Sequence, residues 1–287
     1  MPSPKFKPEW DLIILPQTSW FDLHLTDLWR YRDLTMLFVW RDFVAAYKQT
    51  ILGPLWHLIT PVISTLIFTI IFNRIAEIPT DGLPPFLFYM CGLTAWNYFS
   101  DCLNRTSGTF IANANIFGKV YFPRLIVPLS IVISNLVKFV IQFTLFVGFM
   151  IFFSLRASTI YPNLYILLTP YLLLLMAAMG LGAGIIVSSL TTRYRDLQVL
   201  VGFGVQLFMY ATPIVYPLSA VPNKYRWLVL INPMTPVIES FRYGFLGNGT
   251  FSITYLLYST GVTLLILFLG ILLFNHVEKT FMILSDL

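Results

Sequence analysis

Charged side chains are scarce in this sequence. Only 11% of its 287 residues are Asp, Glu, Lys or Arg, against roughly a quarter in an ordinary soluble domain. Hydrophobic residues make up 57% of the chain, and the mean hydropathy is +0.76. A soluble protein would lack the polar residues needed to cover such a core. The composition excludes a soluble globular enzyme and predicts an all-α integral membrane protein, because the apolar runs are long and do not alternate.

Cysteine and histidine are also rare. Cys91 and Cys102 share one apolar run and are interpreted as small core residues. The three histidines are scattered, so we predict no metal site. The ATP-binding pattern G-x-x-x-x-G-K-[ST] is absent, so the chain is not expected to hold nucleotide phosphates itself. The first 35 residues contain no apolar run of the kind that a cleavable signal peptide needs.

Six apolar runs are present and are predicted to cross the bilayer. They lie at 55–72, 85–103, 125–155, 163–190, 197–217 and 252–274. When the N-terminus is placed inside, twelve of the 18 Lys and Arg residues fall on the inner side and five on the outer side. Inner loops carry the excess of basic residues in membrane proteins. Both termini are therefore expected to be cytoplasmic, and the net charge of +5 is attributed to orientation rather than to nucleic-acid binding.

Residues 30–49 are predicted to form an amphipathic helix that lies flat at the interface. Apolar side chains fall on one arc of the helical wheel, and Arg30, Arg41 and Lys48 fall within about 20° of one another on another side. The apolar arc comprises Met36, Leu37, Trp40, Phe43, Val44 and Tyr47. This segment is either a simple membrane anchor or a basic stripe that attracts an anionic, lipid-linked substrate.

The region 212–250 is rich in Pro and Gly and holds apolar runs too short to span, at 227–231 and 237–246. We predict two short re-entrant or interfacial helices on the outer side, the second of them capped by Thr235 and Pro236 with Glu239 near its positive end. Irregular backbone at membrane depth needs protein or a water-filled cavity around it. The region therefore either closes a pathway or is an ordinary outer loop.

Three further features have both a structural and a functional interpretation. Lys138 is the only charge deep inside a predicted span, so it should face the interior and have a partner, in a structural contact or a substrate contact. Gly180 and Gly184 form a small-xxx-small pair, which favours close helix packing and could mark a dimer seam. Aromatic residues reach 17%. They fit helix cores and interfacial belts, and they also fit a wall along which sugar rings slide.

Four strings in order resemble one family, the permease subunits of type-2 ABC exporters, in the branch that exports O-antigen, capsular polysaccharide or teichoic acid. WRDFVAAYKQTILGPLWHLITP at 40–61 resembles the family's interface helix, Leu-Gly loop and first span. NANIFGKVYFPRLIVP at 113–128 is similar to its first cytoplasmic loop, and RYRDL at 193–197 to its second. TPIVYPLSAVP and INPMTPVIESFR, at 212–222 and 231–242, resemble its outer gate helices.

The resemblance implies a homodimeric transporter subunit rather than an enzyme, in the bacterial inner membrane. Each copy would dock on one of two separate ABC ATPase subunits, which would bind ATP and Mg, so no cofactor is expected in this chain. The substrate would be a polyprenyl-pyrophosphate-linked polysaccharide. The implied organisation is a cytoplasmic tail at 1–29, an interface helix and Leu-Gly loop at 30–53, a six-span domain at 54–275 and a cytoplasmic tail at 276–287.

The same resemblance suggests which residues serve each step. For the substrate, the aromatic content supplies Trp56, Tyr89, Trp96, Tyr98, Phe99 and Tyr210 as candidate walls of a sugar path, and the resemblance adds Arg41, Lys48, Leu52 and Gly53, with Arg41 and Lys48 on the pyrophosphate. For coupling to the ATPase it suggests Asn113, Asn115, Phe117, Lys119, Arg193, Arg195 and Asp196. For the outer gate it suggests Pro233, Pro236, Glu239 and Arg242.

Two alternatives stay open at this point. One is a lipid or drug exporter of the same fold, against which the aromatic content and the Leu-Gly loop weigh. The other is a membrane enzyme that acts on polyprenyl-linked sugars, which would need paired carboxylates or a metal site at the interface. Asp33 and Asp42, the acids of the interface helix, point about 180° apart on the wheel and weigh against it.

Overall fold

The structure, a computed structural model, describes residues 25–48, 52–117, 122–156, 160–192, 194 and 196–285. Within these ranges the regular structure is entirely helical. The α-helices are α1 (Leu25–Arg30), α2 (Arg32–Tyr47), α3 (Trp56–Phe68), α4 (Pro85–Ser107), α5 (Thr109–Ala112), α6 (Ala114–Phe117), α7 (Ile126–Ser154), α8 (Thr169–Thr191), α9 (Leu197–Ala211), α10 (Asn223–Leu230), α11 (Met234–Leu246) and α12 (Ile253–Ser285). Short 3-10 turns precede α3, α8 and α10, and a π-helical segment, Thr69–Ile75, continues α3.

Four helical segments are long and apolar enough to cross a membrane. They are Trp56–Ile75, Ile126–Ser154, Leu164–Thr191 and Ile253–Val277, and they match four of the six predicted runs. The other two predicted runs, 85–103 and 197–217, are not among these four segments, and their residues explain why. Helix α4 has 23 residues but carries polar side chains on one face. Helix α9 has 15 residues and ends at Ala211, before Pro213 and Pro217, so the predicted run 197–217 is helical only in part. The six-span count remains a prediction.

Helix α4 lies at the centre of the helix bundle. It packs against α8, α7 and α3, and its residues from Leu87 to Ala95 are buried. A Cβ atom on Gly180 of α8 would stand 2.7 Å from Cys102 Cβ, and one on Gly184 would stand 2.6 Å from Thr106 Cβ. Both distances are shorter than a real Cβ contact. The small-xxx-small pair therefore lets α8 approach α4 within one chain, and the dimer-seam interpretation of these glycines is wrong.

The segment that precedes the first span is broken rather than continuous. Helix α1 ends at Arg30 and α2 begins at Arg32, with Tyr31 between them. Arg30 therefore does not share a helix with Arg41. Helix α2 packs on α7 through Thr35 and Phe38, which are 9% and 7% exposed.

The predicted apolar arc of this helix faces away from the bundle. Met36, Leu37, Trp40 and Val44 are exposed. Trp40 stacks on Phe43 with ring centroids 6.0 Å apart. The exposed surface of α2 therefore combines these apolar side chains with the charged groups of Arg32, Asp33 and Arg41, a mixture that fits a helix at a membrane surface.

The end of the bundle next to α2 is held by a second apolar core, here called the Phe38 cluster. It comprises Phe38, Phe110, Phe117, Phe122, Ile126, Val127, Ile131, Ile185 and Phe274. These residues belong to α2, α5, α6, α7, α8 and α12 or to the turn before α7. The interface helix and the first loop between spans are therefore packed on one core.

Two short helices, α10 and α11, follow α9 in the region where the sequence predicts them. Helix α11 begins at Met234 rather than after Thr235, because Asn232 Oδ1 accepts the Met234 N–H at 2.9 Å. The Thr235 hydroxyl donates instead to Val229 O. The helix ends at Gly247, whose φ of 79° is the left-handed conformation that favours glycine.

Candidate functional site

A polar concavity of about 630 Å³, here called the polar groove, lies between α3, α4, α7 and α9. It is lined by Trp56, His57, Thr60, Pro61, Ser64 and Phe68 of α3, Leu93, Trp96, Asn97, Ser100, Asp101 and Asn104 of α4, Lys138 and Gln142 of α7, and Gly202, Val205, Gln206 and Met209 of α9. Polar side chains from four helices thus converge among otherwise apolar spans, which is typical of a binding site.

The polar face of α4 supplies one wall of this groove. Asn97, Ser100, Asp101 and Asn104 are three or four residues apart, so they project from the same side of the helix. The Asn97 amide donates to Gln142 Oε1 across the groove at 3.5 Å. No role for any of these four residues was predicted from the sequence. Their spacing inside an apolar run was the signal that could have found them.

Lys138 has the partner that the sequence predicts. Its Nζ lies 3.5 Å from Asp101 Oδ2, and the two side chains are 24% and 41% exposed. The pair bridges α7 and α4 and faces the groove. One helical turn before Lys138, Asn135 Oδ1 accepts a hydrogen bond from Arg105 at 2.9 Å. The charged groups of α4 are therefore individually paired with α7.

Of the aromatic residues predicted to meet the substrate, Trp56 and Trp96 line the groove. Trp56 is 50% exposed, and the Trp96 ring lies 6.0 Å from the Phe208 ring of α9. Tyr89 and Tyr210 lie beside them, each with its ring 6.4 Å from Phe72. The Tyr89 hydroxyl is buried and has no hydrogen-bond partner in the described structure.

Tyr98 and Phe99 occupy a different position. The Tyr98 ring packs on Phe139 of α7 at 5.2 Å, and Phe99 packs behind Trp96 at 5.3 Å. Both are almost fully buried, at 4% and 3% exposure, and neither lines the groove. The structure places these two rings in the helix packing.

The interface residues lie outside the groove lining. Arg41 is paired with Asp42 at 2.9 Å, and its guanidinium lies 4.7 Å from the centre of the Phe38 ring. Asp42 is also 3.9 Å from Arg105 of α4. Lys48 is exposed at the end of α2.

The predicted Leu-Gly loop follows α2. Leu52 and Gly53 stand directly before Trp56, and Gly53 has a φ of 47°. That left-handed value favours glycine, and it sets the turn that leads into α3.

Among the residues predicted to couple to an ATPase, Phe117 belongs to the Phe38 cluster. Phe117 is buried there, with the Arg124 guanidinium 5.4 Å from its ring centre. Asn113 is buried and donates to Thr109 O at 3.0 Å, whereas Asn115 is exposed. Asp196 is exposed at the start of α9. Lys119, Arg193 and Arg195 lie outside the described residues.

The two loops that carry these residues are close in space. The Phe110 N–H donates to the Ser188 hydroxyl at 3.3 Å, and the Thr191 hydroxyl lies 3.3 Å from Ser107 O. The helical residues just before the two predicted cytoplasmic loops are thus joined by hydrogen bonds from the end of α8 to the end of α4 and to α5.

The predicted outer gate contains a buried ion pair. Glu239 Oε1 accepts from Arg242 at 2.6 Å, and the two side chains are 3% and 2% exposed. The Arg242 guanidinium also donates to Pro213 O at 2.8 Å and lies 3.9 Å from the centre of the Phe88 ring. Glu239 Oε2 accepts the Thr250 N–H at 2.9 Å. This pair ties α11 to α4 and to the loops on either side.

The two predicted gate prolines contact other parts of the outer region. Pro233 O accepts a hydrogen bond from the Ser259 hydroxyl of α12 at 2.6 Å. Pro236 lines a cavity of about 340 Å³ together with Glu239, Arg226 and Tyr255. In the described part of the chain, no three His, Cys, Asp or Glu side chains are grouped in a way that could hold a metal ion.

The sequence is similar to those of known polysaccharide export and transport proteins. The O-antigen export system permease protein RfbA of Klebsiella pneumoniae is 30% identical over 251 residues, which cover 87% of this chain and 93% of that protein. RfbA of Myxococcus xanthus is 29% identical over 219 residues, covering 75% and 81% of the two chains. The polysialic acid transport protein KpsM of Escherichia coli is 27% identical over 248 residues, covering 83% and 91%.

The chain also matches a model of a protein family. The model for ABC-2 type transporters matches residues 33–246, a range that includes the interface helix, the polar groove and α11. The chain therefore belongs to the ABC-2 type transporter family of membrane proteins.

Proposed function

We propose that this chain is the membrane-spanning subunit of an ATP-driven exporter that moves a polyprenyl-pyrophosphate-linked polysaccharide across the bacterial inner membrane. Membership of the ABC-2 family supports a transporter subunit with an ATPase partner. The relatives named above, which are O-antigen and polysialic acid transport proteins, support a polysaccharide as the cargo.

The polar groove is the observation that carries this proposal. A sugar ring has an apolar face and a rim of hydroxyl groups. The half-exposed Trp56 offers an aromatic face, the buried Trp96 forms part of the groove wall, and Asn97, Ser100 and Gln142 offer hydrogen bonds beside them. A lipid or drug exporter would have little use for so many amide and hydroxyl groups within its spans, because leaving them unpaired in hydrocarbon is unfavourable.

Two copies of the chain are proposed to complete the channel. Val205 is the one buried residue of α9. Exposed apolar side chains, including Val199, Leu200 and Phe203, cover most of the helix. The side of α3 that faces away from the groove is likewise apolar and exposed, at Ile63 and Ile67 among others. A second copy against α3 and α9 would cover these faces and turn the open groove into a closed path.

The energy is proposed to come from two copies of a separate ABC ATPase that bind ATP and Mg. Each would dock on the exposed parts of the two joined loops, where Asn115 and Asp196 lie. The packing of Phe117 into the Phe38 cluster supports transmission, because movement of α6 would be passed to α2, α7 and α12 together. Six spans with both termini cytoplasmic would place these loops on the ATPase side.

The lipid carrier is proposed to approach along α2. Arg41 and Lys48 would meet its pyrophosphate near Leu52 and Gly53, while the exposed apolar face of α2 lies in the membrane surface. Arg41 is already close to Asp42, so a phosphate group would compete with that carboxylate for the guanidinium.

The test is transport by a reconstituted complex. The chain is co-purified with its ATPase, placed in proteoliposomes and supplied with a polyprenyl-pyrophosphate-linked oligosaccharide on the ATPase side. We expect ATP-dependent appearance of the glycan on the opposite side, and no transport with an ATPase variant that binds but does not hydrolyse ATP. Transport of the polyprenyl phosphate alone, with the glycan-linked form left behind, would contradict a polysaccharide exporter.

A further inference from the structure

The polar groove is electrically neutral over its described lining. Asp101 and Lys138 are the only described lining residues with a formal charge when histidine is counted as neutral at pH 7, and their charges cancel. The remaining polar lining consists of amides, hydroxyls and the imidazole of His57. A path for a polyanion would be expected to carry a surplus of cations, because each acidic unit must be desolvated beside it.

Two nearby cationic side chains, Arg105 and Arg41, do not line the groove. Arg105 lies one turn beyond Asp101 on α4, but its guanidinium donates to Asn135 and faces Asp42, and it does not line the groove. Arg41 is occupied by Asp42 on the surface of α2. Positive charge is thus available at the interface helix, where a pyrophosphate would bind, and is balanced inside the groove.

The Lys138–Asp101 pair is itself accessible. Its 3.5 Å separation is longer than an ideal charge-assisted hydrogen bond, and both side chains are partly exposed to the groove. A sugar hydroxyl can accept from the ammonium and donate to the carboxylate at the same time, so a neutral sugar adds hydrogen bonds without separating the charges. An acidic sugar would instead bring its carboxylate towards Asp101 and would have to displace Asp101 from Lys138.

We propose that the polar groove selects an uncharged glycan and that the Lys138–Asp101 pair sets this selectivity. The proposal rests on the polysaccharide-export function above and specifies the class of polysaccharide. Asp101 supplies the repulsion that excludes acidic repeats, and Lys138 keeps the groove neutral so that the path does not hold cations in place of the glycan. Two such pairs would face the channel of a homodimer.

The experiment compares two glycans that differ only in charge. Hexagalactose and hexagalacturonate, each linked to polyprenyl pyrophosphate, have the same rings, and the second carries a carboxylate in place of each hydroxymethyl group. The complex of the full chain with its ATPase is placed in lipid nanodiscs, and glycan-stimulated ATP hydrolysis is titrated. We expect half-maximal stimulation by the neutral glycan at a concentration lower by about tenfold or more than for the acidic one.

Variants of the pair separate selectivity from a structural role. Asp101→Asn leaves a net positive groove and should lower the half-maximal concentration of the acidic glycan by about tenfold, a gain that a merely structural ion pair would not give. Lys138→Gln leaves a net negative groove and should weaken the response to the acidic glycan further. The double variant Asp101→Asn with Lys138→Gln lacks both the repelling carboxylate and the ammonium, so its ratio between the two glycans should lie between those of the two single variants and below the wild-type ratio.

The matched control is Asp33→Asn, which makes the same chemical change on α2, where the carboxylate is 92% exposed and away from the groove. Its ratio between the two glycans should equal the wild-type ratio. Equal stimulation of the wild-type complex by both glycans, or an Asp101→Asn variant with an unchanged ratio, would overturn the inference and leave the proposed function standing. Stimulation by neither glycan would instead overturn the proposed function.

Discussion

At the scale of single residues, the buried pair of Glu239 and Arg242 constrains the position of α11. The guanidinium is held by a carboxylate, a backbone carbonyl and the face of Phe88. A Cβ atom on Gly92 would lie 3.4 Å from Arg242 Nη2 and 3.1 Å from Ile214 Cγ2, so α4 offers little spare room beside this group. The pair therefore fixes α11 against α4.

Breaking this pair on one side should destabilise the protein strongly. Arg242→Met leaves the Glu239 carboxylate buried without its partner, and the free energy of unfolding should fall by about 3 kcal/mol or more. The measurement is thermal unfolding in detergent, followed by size-exclusion chromatography. The double variant with Glu239→Gln should recover part of the loss, and Lys224→Met, which removes an exposed cation of α10, should change little. Equal melting temperatures for Arg242→Met and Lys224→Met would contradict the assigned role.

A second residue-scale prediction separates groove aromatics from packing aromatics. Trp96→Leu removes an aromatic face from the polar groove, whereas Phe99→Leu makes a comparable change three residues later in the helix packing. Export by cells that depend on this chain should fall several-fold for Trp96→Leu and stay near wild type for Phe99→Leu. Amounts of folded protein are compared by chromatography, since both residues are almost fully buried. Equal export by the two variants at equal protein levels would remove Trp96 from the substrate path.

At the scale of helices, hydropathy predicted most of the architecture because long apolar runs have few other solutions in a membrane protein. The four long spans and the two short helices after α9 lie where the sequence places them. The break at Tyr31 was not predictable, because a helical wheel assumes one continuous helix. The face that Gly180 and Gly184 use was not predictable either, since the same spacing serves contacts within a chain and between chains.

The candidate site was predictable only in part. A charge in an apolar run must find a partner, so Lys138 could be singled out. Its partner, Asp101, lies 37 residues away in sequence, and only the packing of α7 on α4 brings the two together. The roles suggested for Tyr98 and Phe99 came from aromatic content, which does not distinguish a groove wall from a helix core. Their packing partners make that distinction, because Tyr98 packs on Phe139, Phe99 packs on Trp96, and neither of the two lines the groove.

The contact between α8 and α4 provides a prediction at this scale. Gly184→Ala places a Cβ atom 2.6 Å from Thr106 Cβ and 3.0 Å from Leu103 O, so the two helices must move apart. We expect a loss of most of the monodisperse protein in fluorescence-detected size-exclusion chromatography. Gly148→Ala in α7 is the matched control, because a Cβ atom there has no neighbour within 4 Å. A Gly184→Ala yield equal to that of Gly148→Ala would show that the close contact between α8 and α4 at Gly184 is not needed for folding.

At the scale of the whole molecule, the proposed homodimer requires that some exposed apolar faces contact lipid and others contact the second copy. Helix α12 also exposes large apolar side chains, such as Leu264 and Leu269, but it does not line the groove. Helices α3 and α9 each line the polar groove with one face and expose apolar side chains on another face. A protein–protein contact along α9 would close the groove, whereas a contact along α12 would leave it open to lipid.

Cysteine cross-linking can test this division. The native Cys91 and Cys102 are fully buried, at 0% exposure, so a cysteine introduced on the surface reports alone. Phe203→Cys on α9, where the native side chain is 63% exposed, should form a cross-linked dimer with a short thiol-reactive linker in membranes. Leu269→Cys on α12, where the native side chain is 45% exposed, should not. The products are resolved by denaturing electrophoresis. A dimer band from Leu269→Cys in place of Phe203→Cys would move the interface to α12 and leave the polar groove without a second wall.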